Sequence, residues 1–221
     1  MSNESLVMKT NISRRGCSGL TKWDVLIVVA ILFVLFLLLA PTNRNPDRER
    51  RISCVNQLKE AGRAFLNWRH DHDDKYPWQV SIHDGGTMEW AMAGPAYRHF
   101  RVLSNELANP KILICPSDKE RVFTTNFARL TNLNISYFVV LLPTNALREA
   151  VLMGDRNLAL TNQLPAGVHA ITTNMDLGFY PSQHGLTGNV YLDNDTVVQA
   201  NQTRIRQLFK SGLPTNWVAV P

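Results

Sequence analysis

Residues Val25–Ala40 are sixteen in a row without a polar side chain, and that run constrains the chain more than anything else in it. A helix that is apolar all round has no face to give to water. With Leu20–Asp24 added, the segment reaches 21 residues. As a helix at about 1.5 Å per residue that is roughly 31 Å, enough to cross a hydrocarbon core of about 30 Å. What remains, about residues 44–221, suits one medium domain and not two. Much of the chain's 45% hydrophobic content is therefore spent on a membrane helix.

Charge separates the parts only a little. Lys9, Arg14 and Arg15 against Glu4 put +2 of the formal net charge of +5 into residues 1–19, which leaves +3 for everything after. That balance makes no electrostatic case for nucleic acid as a partner. Lys9, Arg14, Arg15 and Lys22 flank one end of the span, and Arg44, Arg48, Arg50 and Arg51 flank the other, so charge counting orients it only weakly. Leu38-Leu39-Ala40-Pro41 has no small-x-small pattern and fits an ordinary signal-peptide cut poorly.

The segment also carries Lys22 and Asp24 where hydrocarbon begins. A carboxylate costs roughly 2.5–3.5 kcal/mol at the bilayer centre and less near an interface. Lys22 is a poor neutralising partner, because residues two apart on a helix do not face each other; its amine snorkels to the headgroups. An α-amino group exposed by cutting between Gly19 and Leu20, and supplied by a neighbouring copy, would neutralise Asp24.

Gly19, Leu20, Thr21, Lys22, Trp23 and Asp24, followed by the unbroken apolar run, resemble the processing site of type IV pilins and type II secretion pseudopilins. The resemblance implies a basic leader (1–19) removed on the cytoplasmic side by prepilin peptidase, and methylation of the new N-terminus at Leu20. It also implies a membrane and assembly helix (20–41) in a bacterial inner membrane, and an extracytoplasmic domain (42–221). Asp24 stands fifth after the cut, where the family places an acid that pairs with a neighbour's terminal amine. Leu20 replaces the family's usual Phe, and Asp24 its usual Glu. Pro41 stands where many pilins also have a proline.

Beyond the span, Cys54, Leu58, Ala61, Phe65 and Trp68 recur at spacings of four and three, one face of a helix. The spacing predicts a single helix from about Leu20 to Asp71, apolar in its first half and amphipathic in its second. A further helix is expected near Glu89–Glu106, and another over Thr203–Lys210 with Gly212 as its stop. β-rich runs at Ile112–Cys115, Ser136–Leu141, Val151–Met153, Asn189–Leu192 and Thr196–Gln199 lie between turn-forming clusters. The expected class is α+β, a long helix packed on a small antiparallel sheet. The segments "RISCVNQLKEAGRAFLNWRHDHDDKYPW", "ILICPSD", "ISYFV", "GDRNL" and "HGLTGNVYLDNDTVVQ" together resemble the pseudopilin-like group of planctomycete and verrucomicrobial bacteria. In that group a His, nine residues and Asp-Gly close a hairpin; here His184 is present, and Asn194-Asp195 replace Asp-Gly.

Three sets of residues have chemistry to weigh. His70, Asp71, His72, Asp73 and Asp74 are metal-ligating types, but catalytic zinc needs three converging ligands, and a solvated helix exit accounts for the cluster. Asp193 and Asp195 offer oxygens to Ca²⁺, and the family resemblance implies such a C-terminal loop in major pseudopilins; the spacing is not an EF-hand, and a plain turn accounts for it better. His184, Ser136 and an aspartate could be assembled into a triad only on paper. No G-x-S-x-G elbow or phosphate-cradling glycine loop is present. The sequence thus reads as a non-enzymatic subunit without a cofactor, whose partners are prepilin peptidase, other pseudopilin subunits and the inner membrane.

Cutting after Gly19 would remove Cys17 and leave Cys54 and Cys115, which then have one pairing open to them. Either they form a bridge, in a compartment where disulfides persist, or they are two small buried thiols.

Overall fold

The computed structural model describes residues 21–39, 45–143, 149–211 and 213–221. Gly19, Leu20, Pro41 and Gly212 lie outside them. The chain divides into two compact units, 1–44 and 45–221.

The described part of the first unit is one helix, α1 (Lys22–Leu39), with no buried residue. Its 18 residues make it long and apolar enough to serve as a membrane span or a signal sequence.

The second unit begins at α2 (Pro46–His70). Sequence builds both ends of this helix. The Asn45 side chain accepts from the Asp47 amide at 3.2 Å, and Pro46 fills the first helical position, where no N–H is needed. Asp47 and Glu49 sit in the first turn, Arg69 and His70 in the last, each matching the helix dipole. The single helix expected from Leu20 to Asp71 is not formed. Asn45 is extended (φ −81°, ψ 106°), because the ring of Pro46 crowds the residue before it out of helical geometry.

Among the described residues eight strands follow: β1 (Tyr137–Val140), β2 (Val151–Asp155), β3 (Leu158–Ala159), β4 (Gly167–Thr172), β5 (Gly178–Phe179), β6 (Gly188–Leu192), β7 (Val197–Ala200) and β8 (Thr215–Val220). Six form one antiparallel sheet in the order β4-β8-β1-β2-β6-β7, and β3 pairs with β5 beside it. Every residue of β1, β2 and β6 is buried, as in the centre of a covered sheet. The helix α2 packs on β2, β6 and β7 and buries Cys54, Leu58, Ala61, Phe65 and Trp68. Gly62 permits the closest approach: a Cβ there would lie 2.4 Å from the Tyr191 ring on β6. Two more helices, α3 (Tyr97–Arg101) and α4 (Gln202–Lys210), complete the elements; α4 buries Ile205, Leu208 and Phe209. The class is therefore mixed helix and antiparallel sheet.

Two expectations fail for local reasons. Ile112–Cys115 is not a strand: Pro110–Leu113 is a 3₁₀ turn, started by Asn109 accepting from the Lys111 amide at 3.0 Å. The helix expected near Glu89–Glu106 is broken by Gly94-Pro95 into 3₁₀ turns at Met88–Trp90 and Val102–Ser104 and the five-residue α3.

Candidate functional site

At the start of α1, Asp24 has a local occupation that sequence reasoning missed. Its Oδ2 accepts from the Thr21 amide (2.9 Å) and hydroxyl (2.8 Å), and the Asp24 amide donates to Thr21 Oγ1 (3.3 Å). This is a reciprocal capping box, which satisfies amides that the first helical turn leaves without partners. The signal was legible as Thr at the cap followed three residues later by an acid. Both bonds to the carboxylate run through Oδ2; among the described residues Oδ1 accepts none. Around it the aliphatic and aromatic side chains of α1 are exposed, Trp23 at 75% and Leu39 at 80%. The proposed cleavage site, Gly19 and Leu20, lies outside the described residues.

A second concentration of polar groups lies in the folded unit, and it is assembled from the separate sequence motifs. Cys54 on α2 and Cys115 are disulfide-bonded, with Cα atoms 4.8 Å apart. The His184 imidazole approaches Cys115, Nε2 to Sγ 3.3 Å, and because a bridged sulfur can only accept, Nε2 is the donor. On the other side, Asp155 Oδ2, at the end of β2, is 3.6 Å from the same nitrogen. Asp155 is fully buried, and burial pushes its carboxyl up to about 7, although the Asn189 amide (2.6 Å) and side chain (2.9 Å) donate to it. Burial, reinforced by the Arg51 charge, pushes His184 down to about 4. The imidazole is therefore neutral at physiological pH, and its contact with Asp155 is not an ion pair. Arg51 ties the segment to α2 by donating to the His184 carbonyl (3.4 Å) and Thr187 Oγ1 (3.3 Å).

Next to it, Arg156 binds Asp118 through two parallel bonds of 2.7 and 2.9 Å and reaches Glu120 at 2.5 Å. Gln183 Nε2 also donates to Asp118 Oδ2, at 2.5 Å. Burial alone would raise the Asp118 carboxyl, but the Arg156 bonds and charge outweigh it and hold it below the usual range. This bidentate pair joins the "ILICPSD" and "GDRNL" segments.

Other expected sites do not converge. Asp195 accepts two parallel bonds from Arg63 (Nε to Oδ1 2.9 Å, NH2 to Oδ2 2.8 Å) and one from the Tyr191 hydroxyl at 3.0 Å. Asp193 accepts from Arg69 at 2.6 Å and from the Tyr76 hydroxyl. Both carboxylates considered for Ca²⁺ are thus occupied by guanidinium groups of α2, which clamp the β6–β7 turn with Asp195 at φ 62°. At the α2 exit, His72 stacks on Trp68 with ring centroids 3.6 Å apart, while Asp73 and Asp74 turn away in left-handed geometry (φ 53° and 57°). The cluster His70, Asp71, His72, Asp73 and Asp74 gathers no converging donors. No hydrogen bond joins His184 to the Ser136 hydroxyl among the described residues.

Among the described residues, the one set of three metal-ligating side chains whose donor atoms converge is Cys54, Cys115 and His184, and two of these are bonded to each other. Sequence reasoning placed the cysteines but not His184 beside them. Comparisons with protein families, with curated proteins and with solved structures give no match to this chain.

Proposed function

We propose that this chain is a pseudopilin-like structural subunit of a type II secretion or type IV pilus-like assembly. In this reading it inserts in a bacterial inner membrane with its N-terminus cytoplasmic, and prepilin peptidase cuts it after Gly19. Methylation of Leu20 follows, and the chain polymerises through α1 with copies of itself or related subunits. The observation that carries the reading is the sequence of parts: an acid at the head of an apolar helix, five residues beyond a glycine, then a separately compact α+β unit. An apolar helix exposed along its whole length needs lipid or other helices around it. Lipid offers no hydrophobic gain over Leu, so van der Waals fit between helices decides packing there.

One observation favours a second reading. The Thr21–Asp24 capping box gives the carboxylate a purpose without any neighbour, as in a membrane-anchored binding module that never polymerises. Crosslinking in membranes of Asp24→Asn, Asp24→Ala and Asp24→Glu cells separates the two. Asn keeps an oxygen for the cap and loses the charge. For an assembly subunit, Asn and Ala both lose the oligomer ladder while cleavage persists, and Glu keeps it. An Asn variant with a wild-type ladder would assign Asp24 to capping alone and favour the anchor.

A further inference from the structure

We propose that the Cys54–Cys115–His184 cluster, once its disulfide is reduced, is a binding site for a divalent cation of the zinc class. The three donor atoms lie within 4.8 Å of one another, and each comes from a different part of the fold. Cys54 is on α2, Cys115 follows the Pro110–Leu113 turn, and His184 precedes β6. Their convergence is therefore set by the packing of α2 on the sheet rather than by a local loop. Tetrahedral zinc at about 2.3 Å from sulfur and about 2.0–2.1 Å from nitrogen holds its donors roughly 3.5–3.8 Å apart. His184 Nε2 is already 3.3 Å from Cys115 Sγ, so on that side almost nothing must move. The two sulfurs need only separate by side-chain rotation once the bond between them is gone.

The surroundings suit a cation. Three protein ligands leave a fourth position open, and a cavity of about 280 Å³, lined by Asp47, Arg51, Ser117, Gln183, His184 and Gly185, lies on the His184 side of the cluster. Asp155 is fully buried, its Oδ2 is 3.6 Å from the His184 nitrogen, and its Oδ1 has no partner among the described residues. That orphaned oxygen is a second negative acceptor behind the ligands.

A dithiol delivers two electrons and two protons to the Cys54–Cys115 bond, becoming a cyclic disulfide, and leaves two thiols. Cation binding then releases both thiol protons, because the thiolate is the ligand, and the His184 ring changes tautomer, its proton passing from Nε2 to Nδ1 so that Nε2 can bind. The inference does not depend on whether the chain polymerises.

Full-length protein in detergent micelles, reduced with a dithiol and cleared of it without air, is titrated with Co²⁺ as a coloured stand-in for zinc. One equivalent should produce the near-ultraviolet thiolate-to-cobalt band and the visible bands of a tetrahedral site, and Zn²⁺ should bleach both. The Cys54→Ser/Cys115→Ser protein should show neither. His184→Ala should bind at least tenfold more weakly with shifted visible bands, while its oxidised form retains the bridge. The proposal fails if reduced protein gives no thiolate band at one equivalent, or if His184→Ala titrates like wild type. It fails equally if oxidised protein gives the same bands, or if reduction abolishes the near-ultraviolet circular dichroism and Co²⁺ does not restore it.

Discussion

His99 offers a prediction whose size follows from the structure. It sits on α3 with no exposed surface, its Nδ1 meeting the Thr87 hydroxyl at 2.7 Å and its ring edge-on to Trp78 at 5.9 Å. Nε2 has no partner among the described residues, and no carboxylate faces the ring to stabilise a charge. Burial therefore lowers its pKa from 6.5 to about 4. The unfolded chain takes up the proton first, so this stability is whole above about pH 6.5 and drains away as pH falls towards 4. At about 1.36 kcal/mol per unit of pKa, the loss approaches roughly 3 kcal/mol below pH 4 and is about 2 kcal/mol at pH 5. Other groups titrate over the same range: His184 acts in the same direction, and Asp155, with a raised pKa, acts in the opposite one. The useful quantity is accordingly the difference between wild type and His99→Gln, which keeps a hydrogen-bonding side chain but cannot take up the proton. Urea unfolding followed by tryptophan fluorescence in micelles, from pH 7.5 to 4.5, should show the variant losing about 2 kcal/mol less than wild type by pH 5. Parallel pH profiles, or a His99 resonance titrating above pH 6, would refute the reasoning.

Three further outcomes follow from the α2 interface. Gly62→Ala puts a methyl group into the Tyr191 ring, 2.4 Å from where the Cβ would sit, and should cost about 1–3 kcal/mol in the same unfolding assay. A wild-type midpoint would mean that Tyr191 yields without strain. Asp195→Asn breaks a bidentate but surface-exposed pair with Arg63 and should cost no more than about 1 kcal/mol. The wild-type unfolding midpoint should not move with millimolar Ca²⁺, since Arg63 and Arg69 already occupy both carboxylates; a calcium-dependent rise that Asp195→Asn abolishes would contradict that geometry.

What the sequence disclosed, and what it hid, has a consistent physical origin. Periodicity marked the buried face of α2 residue by residue, because Cys54, Leu58, Ala61, Phe65 and Trp68 are all buried. The turn-forming "LDNDT" stretch between two β-rich runs marked β6 and β7. Strands β4 and β8 went unread: Gly167–Thr172 and Thr215–Val220 pair across a long separation, and no turn residues tie one to the other. The Ile112–Cys115 run was misread because its apolar content outweighed the Asn109-Pro110 start signal beside it. At the polar cluster, the resemblance to the pseudopilin-like group singled out "ILICPSD", "GDRNL" and His184, but the Asp118–Arg156 pair and the placement of His184 against the disulfide are products of tertiary packing. The Thr21–Asp24 box was local and readable; the search for a distant partner for Asp24 obscured the near one.

The account's central claim is that this chain is matured as a pilin-like subunit, and intact mass with N-terminal sequencing of membrane-extracted protein tests it most directly. In cells with an active prepilin peptidase, the account predicts a chain that begins at Leu20 and carries one added methyl group. Gly19→Ala should slow its appearance. A chain that retains Met1 and the whole leader in those cells would contradict the claim.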